Sequence, residues 1–271
     1  MNKKLHRAKQ LKDDEFYTQL SDISAEVENY KKYLKDKTVY CNCDVPYVSN
    51  FHLFFMENYE KLEIKRLIVS CQEGYVYDSQ YGPKIVQNGD FGGSECIELL
   101  KQSDIVISNP PFSLWRDYLK LLLRYKKQFL IVGHLNAIGY KDVFPLLQQK
   151  QLYIGYNALN RFIRPDNTIA KVSCLWFTNM PVERKFGPLV ASKTYRPELY
   201  PKYDNYDAIN VNRLVDIPND YYGPMGVPIT FMVKHDPAEW EVLDIIRPKL
   251  HFKSIYTRIV VRRLTAAQKA A

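Results

Sequence analysis

No stretch of this 271-residue chain approaches the roughly 20 consecutive apolar residues that cross a membrane, so the sequence predicts no membrane span. The basic, polar segment 1–14 lacks the apolar core of a signal peptide. The five cysteines are odd in number and include no Cys-x-x-Cys pair, which argues against a disulfide framework. Together these absences predict a reduced, cytoplasmic protein.

Positive charge is in excess, with a formal net charge of +8 and a sequence pI of about 9.0. Such an excess favours a polyanionic partner, because contacts to phosphates release counterions. Many basic proteins bind no nucleic acid, so charge alone leaves that question open. The 21 tyrosines leave it open too, since they could stack on bases or pack in the core.

Strand-like and helix-like segments alternate from about residue 39 to residue 150. Strands are predicted at 39–41, 66–71, 84–88, 104–108, 128–133 and, later, 174–178. Helices are predicted at 12–35, 49–59, 94–102, 114–125 and 141–150. This alternation is typical of βαβ units and predicts an α/β fold with helices on both faces of a parallel sheet.

The character of the sequence changes after Asn179, where prolines, tyrosines and short apolar runs replace the alternation. We therefore predict a boundary near residue 180. A larger domain would occupy residues 1–180, and a smaller, loop-rich lobe would occupy residues 181–271.

The most informative motif is Asn109-Pro110-Pro111-Phe112, directly after the apolar run 104–108. Neither proline can donate to a strand ladder, and each fixes φ at about −65°, so the motif predicts a stiff loop at a strand's carboxyl end. Ligands of open α/β sheets bind at that end. The Asn109 amide oxygen, the Pro110 carbonyl and the Phe112 ring suit a planar group that carries an exocyclic amino group. The alternative is a turn that merely ends the strand.

Several segments resemble the EcoRI-type adenine-specific DNA methyltransferases, a branch of the S-adenosylmethionine-dependent class I methyltransferases. Besides Asn-Pro-Pro-Phe, they are Asp14-Glu15-Phe16-Tyr17-Thr18, Tyr40-Cys41-Asn42-Cys43-Asp44 with Ser49-Asn50-Phe51, 104–118 and 223–231. The superfamily's glycine-rich turn after the first strand is replaced here by Cys-Asn-Cys-Asp, as in this branch. The resemblance implies a Rossmann-like class I methyltransferase sheet in residues 1–180 and a target-recognition lobe in residues 181–271.

The resemblance also implies a reaction, transfer of a methyl group from S-adenosylmethionine to the N6 amino group of adenine in double-stranded DNA. Because an adenine inside a duplex is out of reach, it would be flipped out and stacked on Phe112. Acceptance of both amino hydrogens by Asn109 and Pro110 would favour an sp3-like nitrogen, and Pro111 would keep the loop rigid. No metal is needed, and the Cys41-x-Cys43 spacing is poor for zinc.

By resemblance, a set of residues is expected to bind the cofactor. They are Phe16, Tyr17, Thr18, Cys41, Asp44, Ser49, Asn50, Asp90 and Asn109. Each group has a simpler alternative: a helix start packed on the core for 16–18, a turn and helix cap for 44–50, and a solvated turn aspartate for Asp90. The cysteines could simply be small buried residues.

For nucleic acid, Arg161, Phe162 and Arg164 are expected to grip phosphates and back the flipped base, or else to form an exposed charged loop. Arg258, Arg262 and Arg263 could likewise contact phosphates or merely flank the apolar run 259–261.

The leading hypothesis is therefore a DNA adenine-N6 methyltransferase, in a restriction–modification system with a cognate endonuclease or in a phage anti-restriction role. An enzyme that methylates RNA bases, and an inactive nucleic-acid-binding relative, remain alternatives at this point. Methylation of a protein glutamine is disfavoured by the Cys-x-Cys-Asp signature and the basic C-terminal part.

Overall fold

A computed structural model of the chain describes residues 16–164, 166–183, 189 and 192–269. The chain divides into two compact units. The first unit consists of Met1–Leu135 and Leu152–Val182, and the second consists of Asn136–Gln151 and Glu183–Ala271. Residues 136–151, which the sequence places in the larger domain, thus group with the second unit. The functional roles assigned to the two parts stay predictions.

The helices of the described residues are short. The α-helices are α1 (Leu20–Val27), α2 (Lys31–Leu34), α3 (Asn50–Glu57), α4 (Ser94–Gln102), α5 (Trp115–Arg124), α6 (Phe144–Gln148) and α7 (Ala266–Lys269). The 3-10 helices are Glu28–Tyr30, Phe112–Leu114, Leu135–Gly139, Leu214–Asp216 and Ile229–Val233. Within this described part of the chain, no helix has the length and apolar character needed to cross a membrane.

The strands of the first unit are β1 (Thr38–Cys41), β2 (Arg66–Ser70), β3 (Tyr75–Asp78), β4 (Lys84–Ile85), β5 (Ile105–Ser108), β6 (Gln128–His134), β7 (Tyr153–Leu159), β8 (Phe162–Ile163), β9 (Ile169–Ala170) and β10 (Cys174–Thr178). Eight of them form one sheet in the order β4-β3-β2-β1-β5-β6-β10-β7, and β8 pairs with β9. Strands β2, β1, β5 and β6 run parallel to one another, whereas β3, β4 and β10 run antiparallel to their neighbours.

The sheet is therefore mixed, where the sequence predicted a parallel one. Residues 71–74 connect β2 to β3, and a connection this short cannot make the crossover that parallel strands need. Gly74 takes a φ of +88° in that turn, a value that favours glycine. Strand β10 lies between β6 and β7 and is antiparallel to both.

Helices cover both faces of the sheet, which confirms the predicted α/β fold. Neighbouring residues of a strand point to opposite faces, as Trp176 and Phe177 of β10 do. Phe51 of α3 contacts Trp176, with ring centroids 6.0 Å apart, and Trp115 of α5 contacts Phe177 at 5.0 Å. Ile23 of α1 belongs to the same buried cluster as Phe51.

Several predicted elements are shorter in the structure. The helix predicted at 12–35 begins at Leu20 and is interrupted by Glu28–Tyr30, and residues 12–15 lie outside the described residues. The strand predicted at 84–88 is limited to β4 (Lys84–Ile85). The helix predicted at 141–150 is α6, whose first turn contains Pro145, a residue suited to a helix start.

The second unit contains a four-stranded sheet that the sequence did not predict, together with extensive loops. The strands of this unit are β11 (Ile209–Asn210), β12 (Met225–Pro228), β13 (Trp240–Ile246), β14 (Lys249–Leu250), β15 (Lys253–Ser254) and β16 (Arg258–Arg263). The four-stranded sheet has the order β11-β12-β16-β13, and β14 pairs separately with β15. A Cβ on Gly226 would lie 2.3 Å from the Tyr203 hydroxyl, so the family-like segment 223–231 supplies a strand that needs glycine there.

Candidate active site

The carboxyl ends of β1, β2 and β5 meet at Asp44. Its backbone N–H donates to the Ser70 carbonyl at 3.0 Å, and the Ser108 hydroxyl donates to its carboxylate at 2.7 Å. Asp44 is only 5% exposed. Burial raises the pKa of Asp44 to about 7, against the opposing effect of hydrogen bonds from Ser108 and Ser49. A cation bound beside this carboxyl would lower its pKa again and favour the charged form.

The amide of Asn109 has a defined orientation. Its Nδ2 donates to the Phe16 carbonyl at 2.5 Å, and this bond assigns the nitrogen and oxygen positions. The Oδ1 atom is buried and has no hydrogen-bond partner among the described residues. A buried acceptor without a donor costs free energy, so a donor supplied by a ligand would be stabilising there.

Three phenylalanine rings and a histidine surround the end of this loop. Phe16 stacks on Phe112 with centroids 5.5 Å apart and an interplanar angle of 25°. The edge of Phe162 approaches both, at 6.0 and 6.4 Å. His134, at the end of β6, lies edge-on to Phe112 at 6.4 Å, and burial lowers the pKa of its imidazole. Sequence reasoning missed His134, although it ends the apolar strand next to β5.

Residues 16–18 form an extended segment rather than a helix start. Tyr17 exchanges two backbone hydrogen bonds with Ile163, at 2.8 and 3.1 Å. Asn50 donates through Nδ2 to the Thr18 carbonyl at 2.8 Å. The Thr18 hydroxyl is buried and has no partner among the described residues. The segment therefore links the start of α3 to strand β8. Asp14 and Glu15, from the same predicted motif, lie outside the described residues.

Ser49 acts as the N-cap of α3, because its hydroxyl accepts a hydrogen bond from the His52 N–H at 3.2 Å. The simpler interpretation of Ser49 as a helix cap is thus observed. The same hydroxyl also hydrogen-bonds to Asp44. The cap therefore fixes a residue that borders the site.

A buried polar group in the position of the missing glycine-rich turn was not foreseen. The Tyr118 hydroxyl donates to Asn42 Oδ1, while Asn42 Nδ2 is buried and has no partner among the described residues. Tyr118 is held edge-on against Phe91, with centroids 5.0 Å apart. In the sequence, Tyr118 ends the family-like segment 104–118 and lies on the buried face of α5, a position that also fits an ordinary core tyrosine.

The two cysteines beside this group have different surroundings. Cys41 is fully buried in the core cluster, so its side chain is directed away from the polar end of the strand. Burial raises the pKa of both the Cys41 and the Cys43 thiol well above its ordinary value, and the charge of Asp44 adds to the effect. Among the described residues, no three His, Cys, Asp or Glu side chains are grouped to hold a metal ion.

Asp90 forms a tight turn. Its carboxylate accepts from the Gly92 N–H at 2.8 Å, and its own N–H donates to Asn88 Oδ1 at 3.0 Å. The turn interpretation is therefore observed. Burial is the main cause of the raised pKa of Cys43, and the negative charge of Asp90 adds to it.

The residues of segment 161–164 differ in their exposure to solvent. Arg161 and Arg164 are exposed, but Phe162 is fully buried because alternation along β8 directs it inward, onto Phe16 and Phe112. The expected contact of Phe162 with nucleic acid is thus replaced by packing behind Phe112. The two arginines stay available to a partner.

An apolar pocket of about 480 Å³ lies between the loop that follows Asp44 and the sheet edge formed by β3 and β4. It is lined by Val45, Pro46, Tyr47, Tyr75, Val76, Pro83, Lys84 and Ile85. None of these residues is among those predicted for catalysis or cofactor binding. The pocket therefore adjoins the candidate site at the ends of β1 and β5 through residues 45–47.

Comparison with known proteins decides the family. The family described as "Adenine-specific methyltransferase EcoRI" matches residues 4–84 and 76–269. The chain belongs to the EcoRI adenine-specific methyltransferase family. Type II methyltransferase M.EcoRI of Escherichia coli is 43% identical, with 96% of each chain covered. Type II methyltransferase M.MpnI of Mycoplasma pneumoniae is 36% identical over 95% of this chain and 90% of its own.

A third relative, Type II methyltransferase M.MgeORF184P of Mycoplasma genitalium, is 34% identical over 89% of this chain and 86% of its own. No solved structure gives a significant match. Membership of the EcoRI family confirms the resemblance read from the sequence motifs, and the mixed sheet with its helices is the α/β fold of class I methyltransferases.

Proposed function

We propose that the protein transfers a methyl group from S-adenosylmethionine to the N6 amino group of adenine in DNA. The observation that carries this proposal is the buried Oδ1 of Asn109, which has no donor among the described residues. An exocyclic amino group would supply that donor. The relatives named Type II methyltransferases support DNA as the acceptor and a restriction–modification setting with a cognate endonuclease.

The side chains at the ends of β1 and β5 fit S-adenosylmethionine. Its methionine part carries an ammonium and a carboxylate, so it needs both acceptors and donors. Asp44 offers a buried carboxylate, while Thr18 Oγ1 and Asn42 Nδ2 are buried donors with no partner among the described residues. Bound there, the cofactor would supply an electrophilic methyl group on its sulfonium. Asp90 and Asn50 would border the same site.

The chain's own contribution to the chemistry is to hold the amino nitrogen. Asn109 Oδ1 would accept one amino hydrogen, and the Pro110 carbonyl would accept the other. The neighbouring Pro111 carbonyl is already occupied by the Leu114 N–H, at 3.0 Å. Two fixed acceptors favour a pyramidal nitrogen with its lone pair free to attack, which stabilises the transition state more than the ground state.

The aromatic group would receive the flipped base. Phe16 stacks on Phe112 from one side, and the buried Phe162 supports Phe112 edge-on. A base would stack on the remaining accessible surface of Phe112. The exposed Arg161 and Arg164 would contact the DNA backbone close by. Such an enzyme would act in the cytoplasm, where its DNA substrate lies.

Substitution of Asn109 tests this assignment. In Asn109→Ala we expect turnover on DNA to fall about 100- to 1,000-fold, the usual effect of removing one such contact. The dissociation constant for S-adenosylmethionine should change far less than turnover, because Oδ1 would face the amine and only the Nδ2 bond to the Phe16 carbonyl borders the cofactor residues. Single-turnover methyl transfer and equilibrium cofactor binding measure the two quantities.

Asn58→Ala is the matched control. Asn58 also donates through Nδ2 to a backbone carbonyl, that of Phe54 at 2.9 Å, but lies at the far end of α3. It should retain both turnover and cofactor affinity. Normal turnover in Asn109→Ala, or an equal loss in both variants, would contradict the assigned role. Methylation of RNA in preference to DNA would contradict the assigned substrate.

A further inference from the structure

A closed ring of hydrogen bonds joins four polar side chains of the second unit. Arg258 donates through Nη2 to Asn212 Oδ1 at 3.2 Å and also bonds to the Tyr203 hydroxyl. Tyr203 donates to Asn210 Oδ1 at 2.9 Å, and Asn210 donates through Nδ2 to Asn212 Oδ1 at 3.1 Å. Arg258 thus supplies a positive charge to the ring, and both Arg258 and Asn210 donate to the same oxygen, Oδ1 of Asn212.

The positive charge in this ring has no carboxylate partner among the described residues. Arg258 is only 9% exposed, its Nε is buried without a partner, and both of its acceptors are neutral. The other two arginines of β16 have different surroundings. Arg262 pairs with Glu241 at 2.6 Å. Arg263 also has buried guanidinium nitrogens without a hydrogen-bond partner among the described residues, but its charge lies over the Trp240 ring, 4.6 Å from the ring centroid. A buried, unneutralised guanidinium is costly, so an anionic ligand would be stabilising there.

Asn212 is the member of this ring that is exposed at the surface. The residue is exposed, and its Oδ1 already accepts two hydrogen bonds, which is the capacity of that oxygen. Its Nδ2 has no partner in the described part of the chain. The side chain is thus fixed with its NH2 group outward, and it can only donate.

We propose that Asn212 and Arg258 form a donor-only site for a backbone phosphate of DNA. This inference rests on the proposed function and extends it to a contact outside the methyl-transfer site. The uncompensated charge of Arg258 favours a phosphate over the neutral edge of a base. Phosphate contacts of this kind fix the position of a protein on the duplex without reading its sequence.

Asn212→Asp separates binding from stability. It keeps the oxygen that Arg258 and Asn210 donate to, but it removes the outward NH2 and supplies the missing negative charge. The melting temperature should equal or exceed that of the unsubstituted protein. Affinity for two unrelated duplexes of about 30 base pairs should fall about tenfold for each. The logarithm of the association constant should also depend less steeply on the logarithm of salt concentration, by about one unit of slope.

Asn205→Asp is the control for added charge. Asn205 is also exposed in the second unit and accepts from the Lys249 N–H at 2.7 Å, so the substitution keeps an acceptor and adds the same charge. It should change affinity less than about twofold. Unchanged binding in Asn212→Asp, a lower melting temperature, or a loss confined to one duplex would overturn the phosphate site. Failure of the unsubstituted protein to bind either duplex would instead overturn the proposed function itself.

Discussion

Replacing Asp44 with asparagine should change how stability depends on pH. The folded protein holds the pKa of Asp44 at about 7 because the carboxyl is buried, compared with 3.8 for the ordinary group. The folded state therefore binds this proton more tightly than the unfolded state. The carboxyl is harmless to stability below pH 3.8, and it becomes increasingly destabilising as pH rises to about 7. At 1.36 kcal/mol per pKa unit, the full effect is about 4 kcal/mol.

Asparagine is nearly the same size as aspartate, and its Oδ1 can still accept from Ser108. The Asp44→Asn variant should therefore be more stable than the unsubstituted protein, and its advantage should grow by about 3 kcal/mol between pH 5 and pH 8. Urea unfolding at several pH values measures the difference. Burial also raises the pKa of Asp22 and Glu26, but both residues are present in the two proteins, so their contributions cancel.

Asp78→Asn is a control that should destabilise the protein, whereas Asp44→Asn should stabilise it. Although burial raises the pKa of Asp78, the hydrogen bond and charge of Arg66, 2.5 Å away, outweigh it and lower that pKa. Loss of this buried partner should cost about 3–5 kcal/mol at neutral pH, and the cost should shrink in acid. A pH-independent stability difference between Asp44→Asn and the unsubstituted protein would refute the reasoning.

Two further substitutions, one in each unit, test buried contacts. Glu26 is fully buried and accepts from the backbone N–H groups of Tyr156 and Asn157, at 2.7 and 2.8 Å. Glu26→Ala should therefore destabilise the first unit by about 2–4 kcal/mol in urea unfolding. A loss of stability below about 0.5 kcal/mol would contradict this account. Gly226→Ala places a methyl group 2.3 Å from the Tyr203 hydroxyl and should cost about 1–3 kcal/mol, measured as faster hydrogen exchange in β12 and β16. Unchanged exchange there would show that the strand adapts.

Much of the first unit could be predicted because its signals are local. The helix predicted at 94–102 and the strand predicted at 174–178 coincide with α4 and β10. Helix α4 has apolar residues at helical spacing, and β10 is a short, mostly apolar run bounded by polar residues. The stiffness of Asn109-Pro110-Pro111 also follows from the covalent structure of proline alone.

The rest depends on contacts between residues far apart in the sequence. Tyr17 pairs with Ile163, and that pairing decides that residues 16–18 are extended and that Phe162 is buried. No local pattern encodes which strand an extended segment joins. The sheet of the second unit was missed for a similar reason, since β11 has only two residues and a shift of register interrupts the pairing of β13 with β16.

The central claim is tested most directly by incubating the protein with unmethylated DNA and S-adenosylmethionine that carries a labelled methyl group. The DNA is then digested to nucleosides, and the labelled nucleoside is identified. The account predicts N6-methyladenine at a recurring short site, with the label lost in Asn109→Ala and kept in Asn58→Ala. Label on the amino group of cytosine, or no label on DNA while the cofactor still binds, would contradict it.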